Sequence, residues 1–271
     1  MDDAIIRKIK KVVSGNFDKS FDHYQAFEDR HHFFADLTLH LAETCNLKKG
    51  ARVLDIGCGN GASAEVLSRE LECRVLGLDL SPKMIENGRQ RIKDPRIRLE
   101  VGDAVNPQTV IGEGEMDFDA ALYNAAIFII PDAAKSILAA SACLKSGGSL
   151  GFSFYPQILA ENGEELFPIA FDRCNLPRPK VQVITSYEKA LEGLRQCCHQ
   201  VTEEVWARPF SEDFLVDFFS IPAQSASLFP RLDYEERRQL VPKLFAALKP
   251  EADKAQIVWR MAAGRRVKGE G

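Results

Sequence analysis

The middle of the chain alternates short apolar runs, typical of buried strands, with stretches whose apolar residues recur at helical spacing. In the first such stretch, Ala62, Val66, Leu67 and Leu71 share one face of a helix. Strands joined through helices form parallel sheets with right-handed crossovers, and helices cover both faces. The pattern therefore predicts a doubly wound α/β core. Its predicted strands are Ala51–Ile56, Arg74–Leu80, Ile97–Val101, Asp119–Tyr123 and Ser149–Phe154.

Local turn residues predict where two of the core helices begin and end. Ser81 is a favourable N-cap and Pro82 suits the first helical position, so a helix begins directly after the second strand. The helical stretch Pro131–Leu144 is predicted to end at Gly147 and Gly148, because glycine adopts the left-handed capping conformation without a steric penalty.

The flanks of this core have a different composition. The first 46 residues have a mostly helical pattern and hold four of the five histidines. After an irregular stretch from Pro156 to Val183, the runs Val201–Trp206 and Gln256–Ala263 bring the mostly parallel sheet to seven predicted strands. We predict a helical N-terminal arm or lid (1–46), the ligand-binding α/β core (47–208), a helical cap insertion (209–255) and a final strand with a tail (256–271).

Composition and charge argue against several classes of function. The 271 residues include 35 basic and 39 acidic ones, so the net charge of −4 gives no field that would neutralise nucleic-acid phosphates. No apolar run approaches the ~18 residues of a membrane span, and the N-terminus has no secretory apolar region. The seven cysteines are scattered without a CxxC pair, which predicts reduced thiols in a cytoplasmic protein and no metal site.

A glycine-rich loop follows the first predicted strand. Gly57 and Gly59 allow a sharp turn and a close approach of the backbone to a ligand. Asp79 ends the second strand, 20 residues after Gly59, where a carboxylate can bind both hydroxyls of a ribose. With Ala62 in the third glycine position, the loop satisfies the dinucleotide fingerprint, so an NAD-dependent oxidoreductase is one interpretation.

Two further acids favour a different ligand. Asp55 would face the pyrophosphate of a dinucleotide, at a cost of roughly 4 kcal/mol per close charge pair. S-adenosylmethionine instead carries an ammonium and a sulfonium. Asp103, at the end of the third strand, can accept a hydrogen bond from the exocyclic amine of an adenine. Acids at the ends of three consecutive strands therefore favour an S-adenosylmethionine site. The alternative is that Asp79 and Asp103 merely cap helices and that Asp55 is a turn residue.

The same segments resemble class I S-adenosylmethionine-dependent methyltransferases. The resemblance covers about residues 45–156, and it implies a Rossmann-like fold with S-adenosylmethionine as the cofactor and S-adenosylhomocysteine as the product. The segments that carry it are Val53–Gly61 for the first motif, Leu78–Met84 for the second strand, Gly102–Ala104 for the third, Phe118–Asp119 and Tyr123–Ala126 for the fourth, and Leu144–Gly148 for the turn before the fifth.

The resemblance also implies which residues contact the cofactor. Gly57 and Gly59 would contact the methionine portion, Asp79 the ribose, and Asp103 and Ala104 the adenine. The motif for adenine-nitrogen methylation, Asp/Asn-Pro-Pro-Tyr/Phe, is absent after the fourth strand, so nucleobase amines are poor candidates for the acceptor. The remaining predicted cofactor-binding residues are Asp55, Cys58, Leu80, Met84, Asn124 and Ala125.

The N-terminal arm resembles one subgroup of this family. Asn16–Tyr24 is similar to the segment before the core in quinone-type and malonyl-carrier-protein methyltransferases, where a Phe and a Tyr seven residues apart fold over the cofactor. A carrier-protein-bound substrate is therefore one option. We predict that residues 14–35 and the Phe210–Phe219 helix close over the carboxyl edge of the sheet, with Tyr24 near the transferred methyl. Simple packing of that phenylalanine-rich helix onto the core is the alternative.

Methyl transfer needs a general base only where the acceptor is not already a nucleophile at neutral pH. Histidine suits this role because its unperturbed pKa lies near 6.5. The alternative is that these histidines are ordinary surface or helix-facing residues. The candidate bases are His23, His31 and His32, with Tyr24, Tyr123 and Tyr155 as orienting groups, and of these we predict Tyr24, His23 and His32 as catalytic residues.

The sequence thus predicts an enzyme that methylates an oxygen or carbon of a small, largely apolar acceptor. The expected partner is a small molecule, with no nucleic acid and no stable membrane insertion. An NAD-dependent oxidoreductase is one alternative. A protein that binds S-adenosylmethionine without catalysing a reaction is another.

Overall fold

The computed structural model describes residues 2–112, 115–179, 183–248 and 254–267. The predicted cap insertion includes 249–253 and the predicted tail includes 268–271, and both of these segments lie outside the described residues. The helices are α1 (Asp3–Phe17), α2 (Phe21–His31), α3 (Phe33–Thr44), α4 (Ala62–Leu71), α5 (Pro82–Arg91), α6 (Ala133–Ala142), α7 (Leu166–Arg173), α8 (Tyr187–Cys197), α9 (Glu212–Ser220), α10 (Pro222–Leu228) and α11 (Tyr234–Ala246).

One twisted sheet organises the molecule. Its first five strands in the chain pair in parallel, in the spatial order 3-2-1-4-5, and the last strand joins the fifth in antiparallel orientation. The predicted mostly parallel, doubly wound α/β fold is therefore confirmed. The strands are β1 (Arg52–Ile56), β2 (Arg74–Asp79), β3 (Ile97–Val101), β4 (Phe118–Tyr123), β5 (Leu144–Ser153), β6 (Gln157–Leu159), β7 (Cys198–Pro209) and β8 (Gln256–Arg266).

The sheet has eight strands rather than the seven expected, because the stretch from Pro156 to Val183 is not wholly irregular. Within it, β6 pairs with β8. The helix α7 follows, and its buried side chains include Phe167 and Phe171, which lie one turn apart. This spacing of the two phenylalanines is typical of a helix, but the prolines and polar residues around them make the stretch look irregular in the sequence.

The predicted glycine cap after α6 is wrong. The helix already ends at Ala142 and β5 begins at Leu144, so both glycines lie within the strand. The pairing of β5 with β4 shifts register between Phe118 and Ala120. Gly147, at a φ of 74°, supplies the left-handed residue of this irregularity. The glycines therefore shape a strand instead of ending a helix.

An aromatic cluster joins the N-terminal arm to the cap. Phe33 in α3 is fully buried, and its ring centroid lies 5.1 Å from that of Phe214 and 5.9 Å from that of Phe218, both in α9. Phe27 in α2 contacts the same two rings at 5.4 Å. The phenylalanines of the Phe210–Phe219 segment thus pack into the core between the arm and the cap.

We predict that Phe33→Ala lowers the free energy of unfolding by about 3–5 kcal/mol, because it removes a fully buried ring and leaves a cavity. Urea denaturation at neutral pH measures this change. Val205→Ala is the control, since its side chain is 65% exposed and should change stability by less than about 0.5 kcal/mol. A loss below about 1 kcal/mol for Phe33→Ala would mean that the cluster does not hold the arm to the cap.

Candidate functional site

Two adjoining clefts open at the carboxyl edge of the sheet, where the loops after β1, β2, β3 and β4 meet. The first spans about 680 Å³ and the second about 530 Å³, in both cases including space that is open to solvent. Phe17, Gly57 and Ala125 line both clefts, so the two form one elongated depression. Parallel sheets of this type bind ligands at this edge.

The glycine loop after β1 is tightly constrained. Gly57 has a φ of 76°, and a Cβ added there would lie 2.5 Å from the Cβ of Ala126. The N–H groups of Gly57 and Cys58 both donate to the carbonyl of Leu78, at 2.7 and 3.0 Å. The loop is thereby tied to β2, and only glycine leaves room for its path.

Asp79, at the end of β2, links this loop to the next one. Its carboxylate accepts from the N–H of Gly59 at 2.9 Å and from the N–H of Ser81 at 2.8 Å. Burial raises the pKa of Asp79, and the hydrogen bonds from Ser81 and Gly59 oppose that rise. Each oxygen keeps a lone pair, so the carboxylate can still accept from ligand hydroxyls in the first cleft.

Asp55 lies beneath the loop rather than in its surface. The side chain is 1% exposed, and its Oδ2 has no hydrogen-bond partner among the described residues. Burial, together with the nearby charge of Asp79, raises the pKa of Asp55 to about 7. The carboxyl group of Asp55 is therefore partly protonated at neutral pH. As the pH rises, it ionises and adds negative charge below the loop.

Asp103 already has a partner in this structure. The ammonium of Lys10 in α1 donates to its carboxylate at 2.5 Å, and the hydroxyl of Ser14 donates to the carbonyl of Leu80 at 3.2 Å. None of the residues of α1 is buried, although four of them line the first cleft. The helix therefore covers the cleft through these polar contacts and the half-buried ring of Phe17, without a fully buried side chain.

Asn124, after β4, ties the arm to the core. Its buried amide donates to Thr38 Oγ1 at 2.8 Å in α3 and to Ser63 Oγ at 3.1 Å in α4. Its carbonyl oxygen accepts from Ser153 Oγ at 3.0 Å in β5. The next residue, Ala125, has a φ of 55°, a conformation that side chains rarely adopt outside constrained sites.

Most of the residues predicted to bind the cofactor border these clefts. Asp55 is the exception, since it lies beneath them. The predicted residues in the first cleft are Asp79, Leu80, Asp103 and Ala104, those in the second are Cys58, Gly59, Met84 and Asn124, and Gly57 and Ala125 border both.

Tyr24 reaches the second cleft from α2. Its ring stacks on Phe17 with centroids 5.8 Å apart, and its hydroxyl accepts from Gln224 Nε2 at 2.8 Å. Burial raises the pKa of Tyr24 well above its ordinary value, so the phenol stays protonated and can donate a hydrogen bond. Gln224 belongs to α10, so the cap supports the cleft wall through this hydrogen bond to Tyr24, while no residue of the predicted Phe210–Phe219 helix lines either cleft.

The structure does not bring the three candidate histidines to the clefts. His23 is exposed, with Nε2 lying 2.9 Å from the hydroxyl of Tyr234. His32 is also exposed and joins α2 to α3 at a φ of 49°. His31 pairs with Asp217 at 2.8 Å. Because no imidazole borders either cleft among the described residues, the geometry gives His23 and His32 no catalytic role.

The two other candidate tyrosines are buried within the fold. Tyr123 is fully buried and its hydroxyl lies 2.9 Å from Ser136 Oγ, so it is a core residue. Tyr155 lies 3.1 Å from Ser227 Oγ of α10, and burial raises its pKa well above the ordinary value. Both phenols are therefore neutral and unsuited to accept a proton.

Among the residues that sequence reasoning missed are Lys10 and Glu28, which line the clefts, and Gln224, which lines neither but donates to Tyr24. Glu28 in α2 accepts from the N–H groups of Phe34 and Ala35, each at 2.8 Å. Glu28 thus caps the start of α3, although it belongs to α2 and His32, in a left-handed conformation, lies between the two helices. A cap six residues before the helix N–H that it binds matches no standard sequence signature, so the pattern alone gave no signal.

We predict that Asp55→Asn alters how stability depends on pH. Because the pKa of Asp55 rises from 3.8 to about 7 on folding, its stabilising contribution is complete below pH 4 and is lost as the pH rises through 7. The stability of the variant relative to wild type should therefore increase by about 2–3 kcal/mol between pH 5 and pH 8. Urea denaturation of both proteins at the two pH values measures this, and a constant difference would contradict the buried, protonated state.

Comparison with known proteins places this site in a family. Residues 53–148 match the model of a methyltransferase domain. The chain is 30% identical over 149 residues to an aklanonic acid methyltransferase of Streptomyces, covering 53% of this chain and 65% of that protein. It is 26% identical over 149 residues to a malonyl-[acyl-carrier protein] O-methyltransferase of Acetivibrio thermocellus, covering 54% and 50%.

A solved structure supports the fold over most of the length. An S-adenosylmethionine-dependent methyltransferase from Thiobacillus denitrificans, in complex with S-adenosylhomocysteine, aligns with a TM-score of 0.56 at 19% identity and covers 90% of this chain and 98% of that one. The chain spans about half to two thirds of the length of the two curated relatives. The matched domain and the relatives support the predicted class I S-adenosylmethionine-dependent methyltransferase, and the solved structure shows the shared fold.

Proposed function

We propose that this protein transfers the methyl group of S-adenosylmethionine to an oxygen or carbon of a small, largely apolar acceptor. The observation that carries the proposal is the elongated depression formed by the two clefts. Acids border it at the ends of β2 and β3, and the glycine loop lies between its halves. An elongated, cationic ligand with a ribose and an adenine fits this distribution of charge.

The first cleft would hold the adenosyl group. Asp79 has lone pairs left to accept from the ribose hydroxyls, and Asp103 would accept from the exocyclic amine of adenine in place of the Lys10 ammonium. Apolar side chains supply the rest of the wall and suit a planar base. They are Val13, Phe17, Leu78, Leu80, Ile129 and Ile130.

The reaction is an in-line displacement at the methyl carbon. The bond from carbon to the acceptor forms while the carbon–sulfur bond breaks, and its electron pair converts the sulfonium to a neutral thioether. Holding the three atoms collinear supplies most of the rate enhancement. Tyr24 donates a hydrogen bond to the acceptor, and the stacked Phe17 helps to exclude water.

The acceptor must release its proton if it is an alcohol or an enol. The tyrosines near the clefts stay protonated, so they do not remove that proton. This favours acceptors that ionise near neutral pH, such as acidic phenols, enols or carboxylic acids. Such an acceptor could be free or bound to a carrier protein, as the name of the Acetivibrio relative suggests.

The two alternative functions fit the site less well. A dinucleotide would bring its pyrophosphate to the glycine loop above Asp55, where the negative charge that this buried carboxyl gains as the pH rises would oppose it. A protein that binds without catalysis would need no hydrogen-bond donor at Tyr24.

Within the described ranges, none of the helices combines the length and apolar character that crossing a bilayer requires. All seven cysteines are free thiols, which supports our placement of this activity in the cytoplasm.

We predict that Asp79→Ala weakens S-adenosylhomocysteine binding by about 2–4 kcal/mol, because charge-assisted hydrogen bonds to the ribose are lost. Isothermal titration calorimetry measures this affinity. Glu86→Gln is the matched control, since Glu86 is an exposed carboxylate on α5 and its loss should leave the affinity unchanged. If the folded Asp79→Ala protein binds as tightly as wild type, the ribose lies elsewhere.

Activity itself is tested by methyl transfer from labelled S-adenosylmethionine to a panel of phenols, quinols and aromatic polyketide acids. We expect transfer to at least one oxygen or carbon acceptor, with the label recovered in an apolar product. Binding of S-adenosylhomocysteine with no transfer to any member of the panel would favour the non-catalytic alternative.

A further inference from the structure

The strand β7 forms a long, uncovered edge of the sheet. It has 12 residues and pairs with β8, and among the described residues no other strand pairs with it. Most of its side chains are exposed, and that of Val205 is 65% exposed. An open edge of this length is a template for pairing with a further strand, so a protein either blocks it or uses it.

The hydrogen bonds of β8 show which backbone groups of β7 point outward. The carbonyl of Arg260 accepts from the N–H of Phe154, just after β5, at 2.8 Å, so the backbone of Arg260 points away from β7. Val205 lies opposite Arg260. In an antiparallel ladder, residue pairs that exchange hydrogen bonds alternate with pairs that do not. The N–H and C=O groups of Val205 therefore point to the open edge, as do those of Glu203 and Ala207.

Only a short part of this edge can accept another strand. Before it, the register of β7 against β8 shifts between His199 and Thr202, where Gln200 has a φ of 52°. After it, Pro209 has no N–H to donate. Irregularities and prolines are the features that block pairing at sheet edges. The regular segment that remains open is 203–208.

The open segment is complementary to itself about Trp206. In an antiparallel pair of two copies centred on Trp206, Glu204 of each copy lies opposite Arg208 of the other, and opposite charges at such positions are stabilising. Val205 then lies opposite Ala207 of the second copy, and their outward backbone groups exchange the hydrogen bonds. A pair centred on Glu204 would instead set two carboxylates against each other. The register that pairs the charges therefore also pairs the backbone.

The side of β7 that carries these charges has room for a second copy. Glu204 accepts from the hydroxyl of Thr44 in α3 at 2.9 Å, and the ring of Trp206 lies 5.1 Å from that of His40 in the same helix. A groove of about 660 Å³, including space that is open to solvent, lies between α3 and β7, and Trp206 and Arg208 border it. Tryptophan and arginine are favoured at protein interfaces.

We propose that two copies of this chain associate through β7, in an antiparallel pair centred on Trp206 that continues the sheet from one copy into the other. The association does not depend on the cofactor. Because so short a segment buries less surface than a typical stable interface, the dissociation constant should be on the order of 10 μM. Arg208 lies over the ring of Phe33, 5.4 Å from its centroid, so association also restrains the aromatic cluster that joins the arm to the cap.

Reversal of the two charges tests the partner and the register together. Sedimentation velocity of the wild-type chain should show a monomer–dimer equilibrium around the expected dissociation constant. Glu204→Arg sets arginines opposite each other and Arg208→Glu sets glutamates opposite each other, so each variant alone should dimerise at least about 10-fold more weakly. An equimolar mixture of the two variants should recover wild-type affinity, because every opposing pair again has opposite charges. Glu86→Arg, at an exposed position on α5, is the control and should dimerise as wild type does.

A further variant keeps the test decisive if a charge reversal perturbs the fold. Val205→Lys changes an exposed side chain, so the monomer should fold normally, while a lysine at this edge should oppose dimerisation. A wild-type chain that stays monomeric at all concentrations would overturn the inference. So would Val205→Lys that dimerises as tightly as wild type, or a mixture of the folded charge variants that associates no more tightly than either variant alone.

Discussion

The carboxylate of Asp79 is the constraint on which the site depends. By accepting from Gly59 and Ser81, it fixes the loop after β1 against the loop after β2. Desolvation makes this carboxylate costly, as its raised pKa shows, so the two backbone donors and the ligand must offset that cost together. The glycine loop can then hold a left-handed path within contact distance of Ala126. The remaining walls, from α1, α2 and α3, are added around this fixed edge.

The arm and the cap pack against each other as well as against the core. Phe27 and Phe33 bury their rings against α9, and Tyr24 receives its hydrogen bond from Gln224 of α10. By contrast, α1 has no buried residue and meets the cleft edge through the Lys10–Asp103 pair. Local opening follows the least buried elements, so we predict that α1 is the part of the cover that moves to admit the cofactor at the lowest cost.

The sequence alone predicts those parts of the fold and of the site that depend on residues close together in the chain. The strands and the acids that follow them could be predicted because buried runs, glycines and capping residues act within a few positions of one another. The contacts of Glu28 and Gln224 could not be predicted. Glu28 reaches α3 only because the chain turns sharply at His32, and Gln224 meets Tyr24 across 200 positions of sequence, so no standard spacing encodes either contact. The histidines attracted a catalytic prediction through their pKa, but accessibility to the cleft is a tertiary property. The predicted helix cap at Gly147 is wrong because a helix cap and a strand irregularity both require a positive φ, and the sequence does not distinguish them.

The central claim is that the two clefts form one site for S-adenosylmethionine rather than for a dinucleotide. Titration of the wild-type protein with S-adenosylhomocysteine and with NAD⁺, under identical conditions in a calorimeter, tests it most directly. We expect the protein to bind one equivalent of S-adenosylhomocysteine, with a Kd at least about 100-fold lower than that of NAD⁺, which is a difference of ~2.7 kcal/mol in binding free energy. Tighter binding of NAD⁺, or binding of neither ligand, would contradict it.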